Sequence, residues 1–222
     1  MLPILYQDER FVVVNKPSGL LVHRTKIADD TTFALQILRD QLGKRVSPVH
    51  RIDRAASGFL IFAFSSEWTA TLQEALKYSQ KYYLAWVRGL PKSDTFTVNK
   101  AIRVGGKAPK DATTHFRVIT RCPKPRSTLL WAQPETGRRH QIRRHLNYSS
   151  HPILLDSSHG DTRINREWRE THDLQRLALH AHTLILALPD NEVLHIVAPV
   201  PEGLSLPLSR LGLPTTFQIP LE

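Results

Sequence analysis

The sequence predicts an α/β (α+β) fold in which a mixed, mostly antiparallel central sheet is flanked by helices. Three observations predict it. The run GFLIFAF, Gly58 to Phe64, is unbroken apolar sequence of strand length, the pattern of a strand buried on both faces. The stretches TTHFRVIT and STLLWAQPE are β-rich and separated by the short Pro/Arg/Lys connection RCPKPRS, as antiparallel partners are. Two further stretches, Thr32–Leu42 and Glu67–Tyr78, read as helices.

The elements follow in order. Ile4 to Asn15 is rich in β-branched and aromatic residues and is interrupted at Asp8-Glu9, which predicts two short strands or a hairpin. KPSG, Lys16 to Gly19, turns the chain, and LLVH resumes an extended course. Phe33, Ala34, Ile37, Leu38 and Leu42 fall on one helical face, and Gly43 supplies a stop. After the apolar run, Ser66 is placed to cap the second helix, and KYYLAWVRG alternates as a strand. Beyond the paired strands, the turn at Thr136-Gly137 starts a helix with Ile142 and Leu146 on one face and Arg139 and Arg143 on another. LALHAHTLILALP returns to the core as a strand, and the Pro-rich tail from Pro199 shows no period. Without a repeat or a low-complexity linker, residues 1–222 parse as a single domain.

Composition narrows the function. Thirty Lys and Arg against twenty Asp and Glu give a net charge of +10, which favours a polyanionic partner, most often nucleic acid, over a basic protein without one. Cys122 is the single cysteine, so no intrachain disulfide and no Cys-based zinc site can form. The acidic Asp8-Glu9 near the start does not fit a signal peptide, and no apolar run reaches the roughly 20 residues a membrane helix needs, so a soluble cytoplasmic protein is expected.

Three segments carry candidate chemistry. In VHRIDRAAS, Asp53 lies between Arg51 and Arg54 in the loop ahead of the buried strand, where a rigid support can hold a reactive side chain. An arginine within about 4–6 Å would keep such a carboxylate ionised, and an oriented carboxylate is a nucleophile or base. Alone, the same letters also describe a surface ion pair contributing about 0–1 kcal/mol. Of Tyr82 and Tyr83, neighbours on a strand, one is an ordinary core aromatic because the two face opposite sides. Arg138, Arg139, Arg143 and Arg144 read either as a solvated helix face or as positive charge awaiting a phosphate or carboxylate. His180 and His182 share a strand face without other metal-ligand spacing, so no metal is expected; neither GxxxxGK nor GxGxxG occurs, so no nucleotide cofactor is expected.

Taken together and in this order, NKPSGLLVH, HRIDRAASGFLIFA, KYYLAWVRG, TGRRHQIRRHL with HPILLD, and LALHA resemble the motifs of the RluA-type pseudouridine synthases over about residues 4 to 200. That resemblance implies the pseudouridine synthase catalytic fold and an isomerase acting on RNA without a cofactor. KDATTHFRV, DSSHGDTRINR and LQRLALHA are most similar to members that modify a tRNA acceptor-stem uridine, position 65, so tRNA is the implied partner of a monomeric enzyme. By the same resemblance Asp53 is the catalytic aspartate, Tyr83 stacks on the target base and takes part in proton abstraction, and Arg143 pairs with Asp53. The resemblance also implies that Ile142 lines the pocket and that Arg51 enters the RNA stack as the base leaves; Arg54, Lys81, Arg138, Arg139 and Arg144 are expected to contact RNA, and His50 to be positional.

The chain departs from the family in three places. Ala55-Ala56 stands where Pro-Thr is usual, which is expected to loosen the turn after Arg54. The connection from Val98 to Thr113 is short, and the last motif lies close to the end of the sequence; an N-terminal S4 RNA-binding domain, which many rRNA-directed relatives carry, is not expected. An rRNA-directed synthase and a non-catalytic RNA-binding protein are the competing readings; the latter has no use for the Asp53 carboxylate.

Overall fold

The structure is a computed structural model and describes residues 1–23, 32–103 and 105–219. Its elements in chain order begin with β1 (Ile4–Gln7), β2 (Phe11–Lys16), α1 (Ala34–Leu42), β3 (Ser47–Pro48), β4 (Ser57–Ala63), α2 (Ser66–Tyr78) and β5 (Gln80–Arg88). They continue with β6 (Thr95–Asn99), β7 (Thr113–Cys122), β8 (Ser127–Pro134), α3 (Gln141–Tyr148), α4 (Thr162–His172), β9 (Leu179–Ala187), β10 (Val193–Val197) and α5 (Glu202–Arg210). The architecture is the mixed α/β one with mostly antiparallel strands that the sequence predicts.

The chain forms two compact units. The first comprises Met1–Lys81 and Ala181–Pro199. Its strands run β1-β2-β4-β9, with β3 also on β4 and β10 on β9. β2 and β4 pair antiparallel from Phe11↔Ala63 to Lys16↔Gly58. Every residue of β4 is buried, as its apolar run requires. One side of β2 and β4 carries Val12, Val14, Leu60 and Phe62 into a core with Ala34 and Leu38 of α1. α2 packs against β4 and β3. Gly58 has φ +118°, and a Cβ there would lie 2.0 Å from the Ala181 carbonyl oxygen, so glycine is what lets β4 and β9 approach.

The second unit comprises Tyr82–His180 and Val200–Glu222. Within it β5, β8, β7 and β6 are neighbours in that order. β5 and β8 pair from Tyr83↔Ala132 to Arg88↔Ser127, and β7 and β8 pair from Thr114↔Pro134 to Cys122↔Ser127, the latter through a bulge near Val118. α3 packs on β7 and β8, and Trp86 meets Trp168 of α4 edge to face at 5.1 Å.

Three sequence expectations are corrected. Ser65, not Ser66, caps α2, its hydroxyl accepting from the Trp68 amide at 3.1 Å. The helix after Gly137 begins at Gln141, because His140 adopts a left-handed conformation with φ 55°. Of the two readings of Arg143, its burial against a carboxylate favours the cation awaiting a partner over the solvated face. The tail from Pro199 contains α5, which buries Leu204, Pro207 and Leu208. No described helix is long and apolar enough to cross a membrane.

Candidate active site

In the first unit, VHRIDRAAS is fixed to β4 at one end and to the KPSG turn at the other. The Val49 amide donates to the Ile61 carbonyl at 3.0 Å, and the Ile61 amide donates to Nε2 of His50 at 3.2 Å. Desolvation, and next the Lys81 charge, push the His50 pKa down to about 4, so this imidazole stays neutral and serves as a strand acceptor. Arg51 and Arg54 are exposed and Asp53 is half-buried. The Asp53 carbonyl accepts from the Ala56 amide at 3.1 Å, which closes the turn that carries the carboxylate.

The second anchor is the less expected one. Lys16 is 0% exposed at the end of β2, and its ammonium donates to the carbonyls of Pro17 at 2.7 Å, Leu20 at 2.8 Å and Arg54 at 3.2 Å. The Gly19 amide donates to the Arg54 carbonyl at 2.8 Å, Nε of Arg54 donates back to the Gly19 carbonyl at 3.0 Å, and the Ser18 hydroxyl donates to the Ala55 carbonyl at 2.5 Å. KPSG is therefore a clamp on the Asp53 turn, and a buried charge is satisfied by the carbonyls it gathers. These bonds, with the methyl of Ala56 buried, hold the stretch that contains Ala55-Ala56. Lys81 is half-buried, and its ammonium donates to the Leu76 carbonyl at 2.8 Å, the end of α2; desolvation lowers its pKa.

In the second unit, the two tyrosines divide as neighbours on a strand must. Tyr82 is buried and meets Trp131 edge to face at 6.2 Å, whereas Tyr83, opposite Ala132, is half-buried. α3 is docked by polar residues as much as by Ile142 and Leu146, both buried. The Gln141 amide donates to the Thr113 carbonyl at 2.9 Å and to Oγ1 of Thr114 at 3.0 Å, while its Oε1 accepts from Thr136 and from the Arg138 amide. His145 bridges Oγ1 of Thr114 at 2.9 Å and the Lys100 carbonyl at 3.0 Å. This locks the helix that carries Arg143.

Arg143 is 5% exposed and Asp156 1%. Nε of Arg143 donates to Oδ2 of Asp156 at 2.8 Å and Nη2 to Oδ1 at 2.7 Å, a two-pronged buried pair. Oδ1 also accepts the amides of Ser158 at 2.9 Å and His159 at 3.0 Å. Burial alone pulls the Asp156 carboxyl upward, but Arg143 and the two amides outweigh it and hold the group below the usual carboxylate range. Asn165 of α4 fastens the same loop, donating to the Asp156 carbonyl at 3.0 Å and accepting from the Leu155 amide at 3.0 Å. The remaining arginines are at the surface: Arg139 is exposed, Nε of Arg138 donates to the Asp111 carbonyl at 3.1 Å, and Nη1 of Arg144 donates to the Arg103 carbonyl at 2.6 Å.

The described contacts thus gather Arg51, Asp53 and Arg54 in one clamped turn of the first unit, and Arg138, Arg139, Ile142, Arg143 and Arg144 around the start of α3 in the second. Sequence reasoning gave no role to Asp156 or Lys16. HPILLD and NKPSG hold the signals: a lone acidic residue ending an apolar stretch, and a charged residue ending an apolar strand before a Pro-Ser-Gly turn.

The chain is similar to known proteins over most of its length. The family model described as RNA pseudouridylate synthase matches residues 10–148, a span that contains Asp53, Tyr83 and Arg143. The chain is 40% identical to tRNA pseudouridine synthase C of Vibrio vulnificus (strain CMCP6), with 85% of this chain and 86% of the relative covered. It is also 40% identical to the tRNA pseudouridine synthase C of Pasteurella multocida (strain Pm70), with the same shares covered. Among solved structures, human RNA pseudouridylate synthase domain containing 4 is similar with a TM-score of 0.74 and 26% identity, covering 95% of this chain and 93% of that one. Human RNA pseudouridylate synthase domain containing 1, at 23% identity and a TM-score of 0.77 over 93% of this chain and 87% of that one, shares the fold.

Proposed function

From the premise that the chain belongs to the RNA pseudouridylate synthase family, we propose that it isomerises a uridine of tRNA, in the acceptor stem, to pseudouridine. The observation that carries this reading is the matched span itself, which holds a carboxylate on a turn clamped from both ends, a half-buried tyrosine on a strand and an arginine fixed by a buried carboxylate. The tRNA substrate is supported by the relatives named tRNA pseudouridine synthase C, 40% identical over most of their length.

The reaction breaks the bond from uridine N1 to C1′, turns the base and joins C5 to C1′; the C5 proton is lost and N1 gains one. Nothing is oxidised or reduced. We assign Asp53 to initiating cleavage, by attack at C1′ or removal of the C2′ proton, and Arg143 to holding that carboxylate. Tyr83 is assigned to stacking on the displaced base and to the proton step, and Arg51 to filling the gap in the RNA stack, which offsets an unstacking cost of a few kcal/mol. Arg54, Lys81, Arg138, Arg139 and Arg144 are assigned to the RNA and Ile142 to the base pocket. In this account residues 1–222 act as one catalytic domain, as a monomer in the cytoplasm and without a nucleotide cofactor.

The test is a pseudouridine map of total RNA from cells with and without the protein. Signal lost at a tRNA acceptor-stem uridine supports the proposal. Loss confined to rRNA overturns the substrate, and an unchanged map overturns the activity.

A further inference from the structure

A cavity of about 320 Å³ opens where the start of α3 faces the 156–160 loop, lined by Arg103, Arg139, His140, Arg144, Ser158 and His159. Among the described residues that line it there is no carboxylate, so three arginines border one small space without a counter-charge in its wall. The wall is built rather than incidental. His140 holds a left-handed backbone with φ 55°, and its Nδ1 lies 3.0 Å from Nε2 of His159, one ring donating and the other accepting. The Arg144 amide donates to the His140 carbonyl at 2.9 Å, which places the second guanidinium one turn from that ring. Ser158 and His159 hang by their amides from Oδ1 of Asp156, and a Cβ on Gly160 would sit 2.5 Å from the Asp156 carbonyl oxygen.

We propose that this cavity seats one phosphate of the RNA backbone and, because its floor is suspended from Asp156, sets that phosphate at a fixed distance from Arg143. The proposal rests on the RNA reading above and sharpens it: Arg139 and Arg144 serve the same phosphate, not two. A compact multiply charged acceptor suits convergent guanidinium and imidazole donors, and the hydroxyl of Ser158 adds a neutral one. Fixing a phosphate relative to Arg143 would fix the flipped nucleotide attached to that backbone.

Counting released counterions separates one phosphate from two. Binding of a transcribed tRNA is measured across salt concentrations for the full chain and for R139Q, R144Q and the double variant, with melting temperatures as the folding control. If both arginines share one phosphate, the double variant lowers the slope of log K against log salt by about 0.9. A drop of about 1.8, two phosphates' worth, or no change overturns the shared pocket. Ser158 is exposed, so S158E should fold normally and weaken binding by placing a carboxylate in the cavity; unaltered binding by a folded S158E also overturns it. A full chain whose tRNA binding has no salt dependence refutes the RNA reading itself, and the pocket with it.

Discussion

Replacing Asp156 with Asn tests the buried pair that orients Arg143. Asparagine keeps an oxygen for Nη2 of Arg143 and for the Ser158 and His159 amides, but it turns an NH2 toward Nε, which now donates to Oδ2 at 2.8 Å. A donor meets a donor, and a guanidinium only 5% exposed loses the negative charge of Asp156. Removing one partner of such a pair costs about 3–5 kcal/mol. In a chain of this length each kcal/mol lowers the melting temperature by about 2–4 °C, so D156N should melt about 6–20 °C below the parent at neutral pH. The pH dependence has a definite sign. Asp156 titrates below its ordinary range in the folded chain, so its contribution is complete above that range and is lost as the pH falls through the lowered pKa. The parent should therefore lose melting temperature below about pH 4 more steeply than D156N. Melting followed by circular dichroism from pH 7 to pH 3 gives both readings. A D156N that melts within about 2 °C of the parent, with the same acid limb, would refute the account of the pair.

Lys16→Met leaves three carbonyls without their ammonium donor, at about 1–3 kcal/mol for each one left buried; it should lower the urea midpoint and the turnover together, and an unchanged midpoint would remove the clamp from the explanation. Gly58→Ala should cost at least about 3 kcal/mol or prevent folding, since its Cβ would meet Ala181, whereas Gly137→Ala, with nothing within 4 Å, should melt like the parent. Desolvation pushes His182 and, together with the Lys81 charge, His50 down to about 4; both groups therefore reduce stability as the pH drops from about 6.5 toward 4, and a flat melting temperature over that window would contradict their burial as neutral rings. Tyr83→Phe should bind tRNA like the parent and turn over poorly in single-turnover assays; full activity would remove the proton role.

The parts legible in the sequence were those whose environment is written in periodicity. β4 is buried along its whole length and its letters are uniformly apolar. Tyr82 and Tyr83 divide by strand geometry alone. α4 went unread because it buries only Asn165 and Trp168, which leaves no apolar stripe, although Asp161 at its N-cap was a readable start. α5 was hidden by Pro207 in its interior and by Gly203. At the site, spacing could mark Arg143 as a cation in need of a partner, but Asp156 lies 13 residues away in a loop without period, and only the folded path shows the pair. Lys16 shows no role in the sequence beyond opening the KPSG turn; only the fold gathers three carbonyls around its ammonium.

The central claim is that Asp53 performs the chemistry on RNA. Asp53→Asn, compared with the parent for pseudouridine formed in a transcribed tRNA and for tRNA affinity, tests it most directly. The account predicts no product and nearly unchanged binding. Substantial product from a folded D53N would contradict it.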